Sequence, residues 1–280
     1  MRRVTAAPDL SRRLAAAGAA TATILVVAGA AVAPGAGAGS RPRLLPDLMT
    51  LRVSQNDLAL DRSGRKLLLR LTNEIGNRGR GPLEIYPSAS SNNCDGDGDL
   101  TNDRDTYQRI FLDSNADSLF DRAQDTESVG LLFGCERYHP AHDHWHVLDF
   151  SRYKLVRERN GRTVVRSDKI GFCIIDTDHR FAGLPGSPPE PYYPAGSEEC
   201  DQVSIQGLSV GWSDSYGYYL PGQQLDVTGL RRGRYCLVST ADPHNLLRES
   251  DDSNNARRAR IALHPVKRTV DRLSGRCRRY

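Results

Sequence analysis

Residues 138–176 read YHPAHDHWHVLDFSRYKLVRERNGRTVVRSDKIGFCIID, and the pattern in this stretch decides the fold class. After the histidines, HVLDFSRYKLVRE carries short apolar runs broken by single polar residues, the pattern of a half-buried strand. Asn160-Gly161 is a strong two-residue hairpin signal, because both residues tolerate positive φ. The chain then returns as TVVRSDKIGFCIID, with Ile170, Phe172 and Ile174 alternating to one face and Lys169, Gly171 and Cys173 to the other. Outward in both directions the same texture repeats. LMTLRVS (48–54), KLLLRLTN (66–73) and GPLEIYP (81–87) precede it, and VSIQGLSV (203–210), QLDVTG (224–229), GRYCLVSTAD (233–242) and RRARIAL (257–263) follow. Short runs of this kind, separated by Asn, Gly and Arg turns, predict an all-β fold, a β-sandwich. No long amphipathic helix and no strong internal repeat stand out.

Four of the seven histidines fall within residues 138–146: His139, His142, His144 and His146. The last three stand at i, i+2 and i+4, so an extended segment would present them on one face, with Asp143 and Trp145 on the other. Imidazole suits copper, zinc, iron and nickel, and three on one face point to a metal site rather than a solvated turn. A straight strand would separate the Cα atoms of His142 and His146 by ~13 Å. Bonds of ~2 Å cannot close that gap, so the segment has to bend or bulge. Pro140 is consistent with an interrupted strand.

Residues 1–38 read as a secretory signal peptide: an arginine-bearing start, the apolar run LAAAGAATATILVVAGAAVA (14–33) and the small-x-small site Ala36-Gly37-Ala38. No later stretch is apolar enough to cross a membrane as a helix. The leader holds four arginines and one aspartate, so the mature chain is left at +1 of the whole chain's +4. That balance gives no case for nucleic acid or an anionic membrane. The locally basic end RRARIALHPVKRTVDRLSGRCRRY reads as a solvated tail. Six cysteines (Cys94, Cys135, Cys173, Cys200, Cys236, Cys277) in an exported chain imply up to three disulfides, with 15 possible pairings.

Two oxygen-rich stretches precede the histidines, CDGDGDLTNDRD (94–105) and DSNADSLFD (113–121). Asp113, Asn115, Asp117 and Asp121 match positions 1, 3, 5 and 9 of an EF-hand loop, but Ser118 stands where glycine belongs and Gln124 where the bidentate glutamate belongs. This reads as a remnant. A third cluster, ESDDSNN (249–255), offers hard oxygen ligands at close spacing or a turn with Asx caps. From spacing alone, Lys169 is an ordinary exposed lysine and Tyr216, in QGLSVGWSDSYGYYLPG, an ordinary half-buried tyrosine.

The blocks LPDL (45–48), HDHWH, KIGFC, QGLSVGWSDSYG and GRYCLV…ESDDSNN occur in the order found in the lysyl oxidase family, and the chain resembles its compact bacterial members over roughly residues 44–264. The resemblance implies one domain at 39–280, with its core at about 44–264 and a basic tail at 265–280. Its β-sandwich would carry long loops and few short helices. It implies copper on His142, His144 and His146, and a lysine tyrosylquinone made by cross-linking Lys169 to Tyr216. Calcium ligands map to Asp47, Leu48 (through its carbonyl), Glu249, Asp251, Asn254 and Asn255. The implied activity is a secreted oxidation of primary amines, peptidyl lysine among them, to aldehydes by O₂, releasing ammonia and hydrogen peroxide. Asp214, two residues from Tyr216, is the candidate base, with a turn-capping role as its alternative. The chain departs from the animal enzymes in its sparser cysteines and in the Pro-rich insert LPGSPPEPYYP (184–194) between Lys169 and Tyr216. A loop that held those two side chains apart would leave a secreted copper- and calcium-binding sandwich without oxidase activity. A three-histidine zinc hydrolase is the remaining reading.

Overall fold

The computed structural model describes residues 41–140, 143–167, 170–194 and 205–278; the leader, His142, Lys169 and Cys200 lie outside the described residues. The first strands are β1 (Arg43–Leu44), β2 (Leu48–Thr50), β3 (Leu58–Ser63), β4 (Lys66–Leu71), β5 (Asn73–Asn77) and β6 (Leu83–Pro87). Three long ones follow: β7 (Asp103–Leu112), β8 (Ser128–His139) and β9 (His144–Arg157). The rest are β10 (Thr163–Arg166), β11 (Ile170–Phe172), β12 (Gln206–Leu208), β13 (Ser213–Tyr216), β14 (Gln224–Asp226), β15 (Gly233–Ala241), β16 (Ala256–His264) and β17 (Thr269–Arg272). No helix occurs among the described residues, where the long connections are held by turns and by strand-like bridges.

One large antiparallel sheet runs β12-β6-β7-β8-β9-β15-β16-β17, with β1 on β7 and both β10 and β11 on β9. Two three-stranded sheets, β13-β5-β2 and β14-β4-β3, complete the fold. The main apolar core joins all three: Leu60, Leu69 and Leu71 of the β14-β4-β3 sheet and Ile75 of β5 share it with Tyr153, Leu155, Tyr235, Leu237 and Ile261 of the large sheet. Alternation is clean on β16, where Ala259, Ile261 and Leu263 are buried and the residues between them are not.

Strand β9 is the hub. Its N-terminal half pairs with β8 and β11, its C-terminal half with β10 and β15. Against β11, Ile170 faces Ser151 while Phe172 faces Val147, so β9 carries two extra residues between those points. Asp149, at φ 57°, lies inside this bulge, which bends β9 immediately after the histidines. The β9–β10 connection is a four-residue loop, 158–161, rather than the two-residue Asn160-Gly161 turn expected: the Arg157 N–H bonds to the Arg162 carbonyl at 2.8 Å, and Gly161 alone of the pair takes positive φ, at 70°. Two disulfides, Cys94–Cys135 and Cys236–Cys277, tie the loop before β7 to β8 and the C-terminal segment to β15; Cys173 is disulfide-bonded as well. The segment read as a solvated tail thus contains an edge strand, β17, paired to β16.

Candidate functional site

The histidine run is the tip of the β8–β9 hairpin. His139 ends β8 and pairs in register with His144 at the start of β9; Arg137 faces His146 and Tyr138 faces Trp145. The connection closes with the Asp143 N–H on the His139 carbonyl at 2.9 Å, Asp143 standing at φ 58°. The bend demanded by the sequence is therefore a chain reversal, and His142 falls in the connection. His144 and His146 remain i and i+2 on one face, with ring centroids 4.9 Å apart. The third described ring comes from across the hairpin: His139 stacks on His146 at 5.0 Å. Counting i, i+2 and i+4 along one strand missed it. The signal that would have found it is Pro140 after His139, which marks the end of one strand and makes His139 a cross-strand neighbour.

The opposite face of the hairpin is packed, which fixes the rings in place. Trp145 lies edge-on to Tyr138 at 5.6 Å and under the Arg104 guanidinium at 3.9 Å. Tyr138 donates its hydroxyl to the Asp143 carboxylate. Arg104 reaches on to the buried Glu136 at 2.5 Å, and Gln206 of β12 donates to the same carboxylate at 3.2 Å. Burial raises the Glu136 pKa and Arg104 draws it back.

Strand β11 begins at the residue after Lys169. A side chain at Gly171 would crowd the Val147 carbonyl first and then His146 and Leu148, so glycine lets β11 lie close against β9. One residue on, the Phe172 ring packs against Tyr216 at 4.4 Å. Tyr216 ends β13 and donates its hydroxyl to the Cys173 carbonyl at 2.5 Å. Thr177 and Asp178 bond to Ser213, docking the segment after β11 along β13. Burial pushes the Tyr216 phenol well above its usual range, and the Asp214 carboxylate adds to the shift.

Asp214 shares the Tyr216 face of β13. It is buried, and burial raises its carboxyl well above the ordinary range; the bond from the Ile175 N–H opposes this, and Asp176 and Asp178 reinforce it. Its carboxylate accepts from the Ile175 amide, which anchors the segment after β11 to this face of β13.

Asp176 anchors the same region. It accepts from the Ser209 N–H at 2.9 Å, the Ser209 hydroxyl at 2.6 Å and the Tyr193 N–H at 3.2 Å, and burial still lifts its pKa to about 6. The folded chain keeps this proton up to about pH 6, whereas the unfolded chain releases it near pH 3.8. The contribution of Asp176 to stability therefore falls as pH rises through that window, by up to about 3 kcal/mol, and is spent above it. Urea titrations at about pH 4, 5 and 6.5 should show the fall, and Asp176→Asn should make it shallower by that share, the rest belonging to the other buried carboxyls such as Glu249; an unchanged slope in the variant would assign all of the effect to those groups.

The family profile described as Lysyl oxidase matches residues 134–272. Protein-lysine 6-oxidase of Gallus gallus is 33% identical over 125 residues, covering 44% of this chain and 27% of that protein. The Homo sapiens protein of the same name is 33% identical over 131 residues, with the same coverage. Lysyl oxidase homolog 2A of Danio rerio is 27% identical over 204 residues, 72% of this chain and 25% of that protein. The chain belongs to the lysyl oxidase family. It spans about a quarter of the length of these relatives.

The lysyl oxidase match takes in the hairpin, β11, Tyr216 and residues 249–255, but not the LPDL block at 45–48. The fold brings those two distant blocks together. Glu249 accepts from the Leu48 N–H at 2.5 Å and the Asn255 amide at 2.8 Å; Asn254 donates to Asp47 at 2.7 Å and to Asp251 at 3.4 Å. Burial raises the Glu249 pKa to about 8. The side-chain oxygens of Asn254 and Asn255 are buried with no hydrogen-bond partner among the described residues. All six residues that the resemblance assigned to calcium thus meet in one cluster.

The other acidic loops, which precede the matched residues, use their oxygens on their own backbone. Ser118 takes φ 64° and bonds to Asp113 at 3.0 Å; Asn115 and Asp117 accept from amides two residues on. Asp95, Asp97 and Asp103 converge within 4.8 Å, and Arg137 reaches both Asp95 and Asp97.

Proposed function

We infer that the chain is an amine oxidase of the lysyl oxidase kind, dependent on copper and on a quinone built from its own Lys169 and Tyr216. The observation that carries this reading is the hairpin tip, where His139, His144 and His146 crowd together with centroids about 5 Å apart. Beside it, β11 runs along β9 next to His146 at Gly171 and packs on Tyr216 at Phe172. Rings at that spacing can share one ion through bonds of ~2 Å, and an imidazole donor set suits copper. His144 and His146, with His142 from the connection, would hold the metal, and His139 lies alongside. Copper and the quinone supply, when present, the redox chemistry that transfers electrons from the amine to O₂.

The chain's own residues set the stage for that chemistry. Packing against Phe172 and the bond to Cys173 orient the Tyr216 ring and shield it from water. Trp145, Tyr138 and Arg104 brace the hairpin from behind. The cluster of Asp47, Leu48, Glu249, Asp251, Asn254 and Asn255 fits a calcium ion, because it holds orphaned buried acceptors and a carboxyl that lacks a counter-charge. Substrates are primary amines, peptidyl lysine among them as the relatives' name suggests, and the products are an aldehyde, ammonia and hydrogen peroxide. The leader at 1–38 supports export. Among the described residues no helix is long and apolar enough to cross a membrane.

The deciding experiment is a peptide map of the copper-loaded, aerated chain after disulfide reduction. A covalent peptide joining Lys169 to Tyr216, together with peroxide release on adding a primary amine, is the expected result. Separate, unmodified Lys169 and Tyr216 peptides from copper-replete protein would leave a metal-binding sandwich.

A further inference from the structure

A cavity of about 850 Å³ opens at the end of β9 away from the hairpin. Eleven residues of β9 separate His146 from Arg157, a span of at most roughly 36 Å that the bulge at Asp149 shortens. Eight arginines line the cavity, and among the described residues the only acid in the lining is Glu158. They come from four separate segments: the end of β9 with Arg157, the turn before β15 with Arg231 and Arg232, β16 with Arg260, and the C-terminal segment with Arg276 and Arg278.

The fold builds this convergence. Arg157 sits opposite Tyr235 on β15, and Arg260 opposite Cys236. The Cys236–Cys277 disulfide then pins the C-terminal segment, so that Arg276 and Arg278 flank a bridged cysteine. Glu158 pairs with Arg260 at 2.6 and 3.2 Å. Among the described residues no carboxylate lies within ion-pair distance of Arg157, Arg231, Arg232 or Arg276; Arg157 instead faces the Tyr235 ring at 5.7 Å. A chain whose charges nearly balance outside the leader has gathered a large single-sign excess in one concave place. Such an excess repels itself unless an anion of comparable charge neutralises it.

We propose that this cavity binds a multivalent phosphate anion, free polyphosphate or a phosphate-bearing polymer. Planar guanidinium forks match phosphate oxygens two at a time, which lysines would not do. A single monophosphate leaves most of the forks unmatched, so the site selects chained phosphates. The proposal goes beyond the oxidase reading and does not rest on it, because the cavity and the hairpin lie at opposite ends of β9.

The test titrates inorganic tripolyphosphate into the full mature chain by calorimetry at about 50 and about 200 mM salt. One site is expected, with a Kd about tenfold weaker or more at the higher salt and monophosphate weaker still by about 100-fold. R231Q/R232Q/R276Q, at exposed positions, should weaken tripolyphosphate about tenfold or more while amine-dependent peroxide release is unchanged. If the triple variant does not fold, Arg231→Gln alone should cost about threefold. Long-chain polyphosphate binding more tightly per chain than tripolyphosphate would identify the polymer as the source, and equal affinity per site the free anion. Equal affinity for mono- and tripolyphosphate, wild-type binding by the arginine variants, or dextran sulfate outcompeting polyphosphate of equal charge would each overturn the assignment.

Discussion

Tyr216→Phe is expected to lower amine-dependent peroxide release by more than about 10⁴-fold while copper retention stays within about twofold of wild type. The two effects separate because the phenol oxygen is the one atom removed. Among the described residues Tyr216 packs on Phe172 at 4.4 Å and not on the histidine rings, so that contact survives the substitution and the hairpin is undisturbed. Losing the hydrogen bond to Cys173 costs about 1 kcal/mol, too little to unfold a domain of this size. His146→Ala should behave differently, losing copper and oxidation together, since it removes the ring that contacts both His139 and His144. His139→Ala should weaken copper about 10- to 100-fold, as the loss of a neighbour that orients a ligand does. Copper content after dialysis and a coupled peroxide assay measure both quantities. Wild-type peroxide release from Tyr216→Phe would sink the quinone reading, and full copper retention by His146→Ala would sink the metal site.

How far the sequence carried the reading depends on which face of each strand is apolar. β4, β6, β15 and β16 were legible because their inward positions hold leucine, isoleucine, valine or tyrosine. β7 was not, because Asp103, Thr106 and Gln108 occupy buried positions there and erase the hydrophobic period. β8 was hidden for the opposite reason: Leu131 and Leu132 are exposed, so its apolar residues do not mark a core face. The histidine triplet was visible as a metal-binding pattern, and the need for a bend followed from strand geometry. That the bend is a hairpin, which adds His139, depended on pairing between strands, and a linear pattern does not record pairing. The gathering of arginines around one cavity was invisible for the same reason, since their segments meet only through the β9–β15–β16 ladder and one disulfide.

Chelating calcium should lower the thermal midpoint by about 10 °C, and Glu249→Gln should abolish that calcium-dependent increment. The magnitude follows from linkage: an ion present at about 1,000 times its Kd contributes about 4 kcal/mol, and each kcal/mol moves the midpoint of a domain this large by about 2–4 °C. The site is placed to have this effect, because it joins residues 47–48 to residues 249–255 across the fold, and the Leu48–Glu249 bond spans 201 positions. Without a cation, the buried Asn254 and Asn255 oxygens have no partner among the described residues. An orphaned buried acceptor costs about 1–3 kcal/mol, which a coordinated ion would recover. Glu249→Gln keeps the volume and an acceptor for the Leu48 N–H, so its effect reports the lost charge rather than a disrupted core. Thermal scans of both proteins in calcium and in chelator measure the increment. An equal midpoint in both conditions, or a full increment in Glu249→Gln, would show that the cluster is a self-sufficient hydrogen-bonded clasp in which the asparagine oxygens bind water.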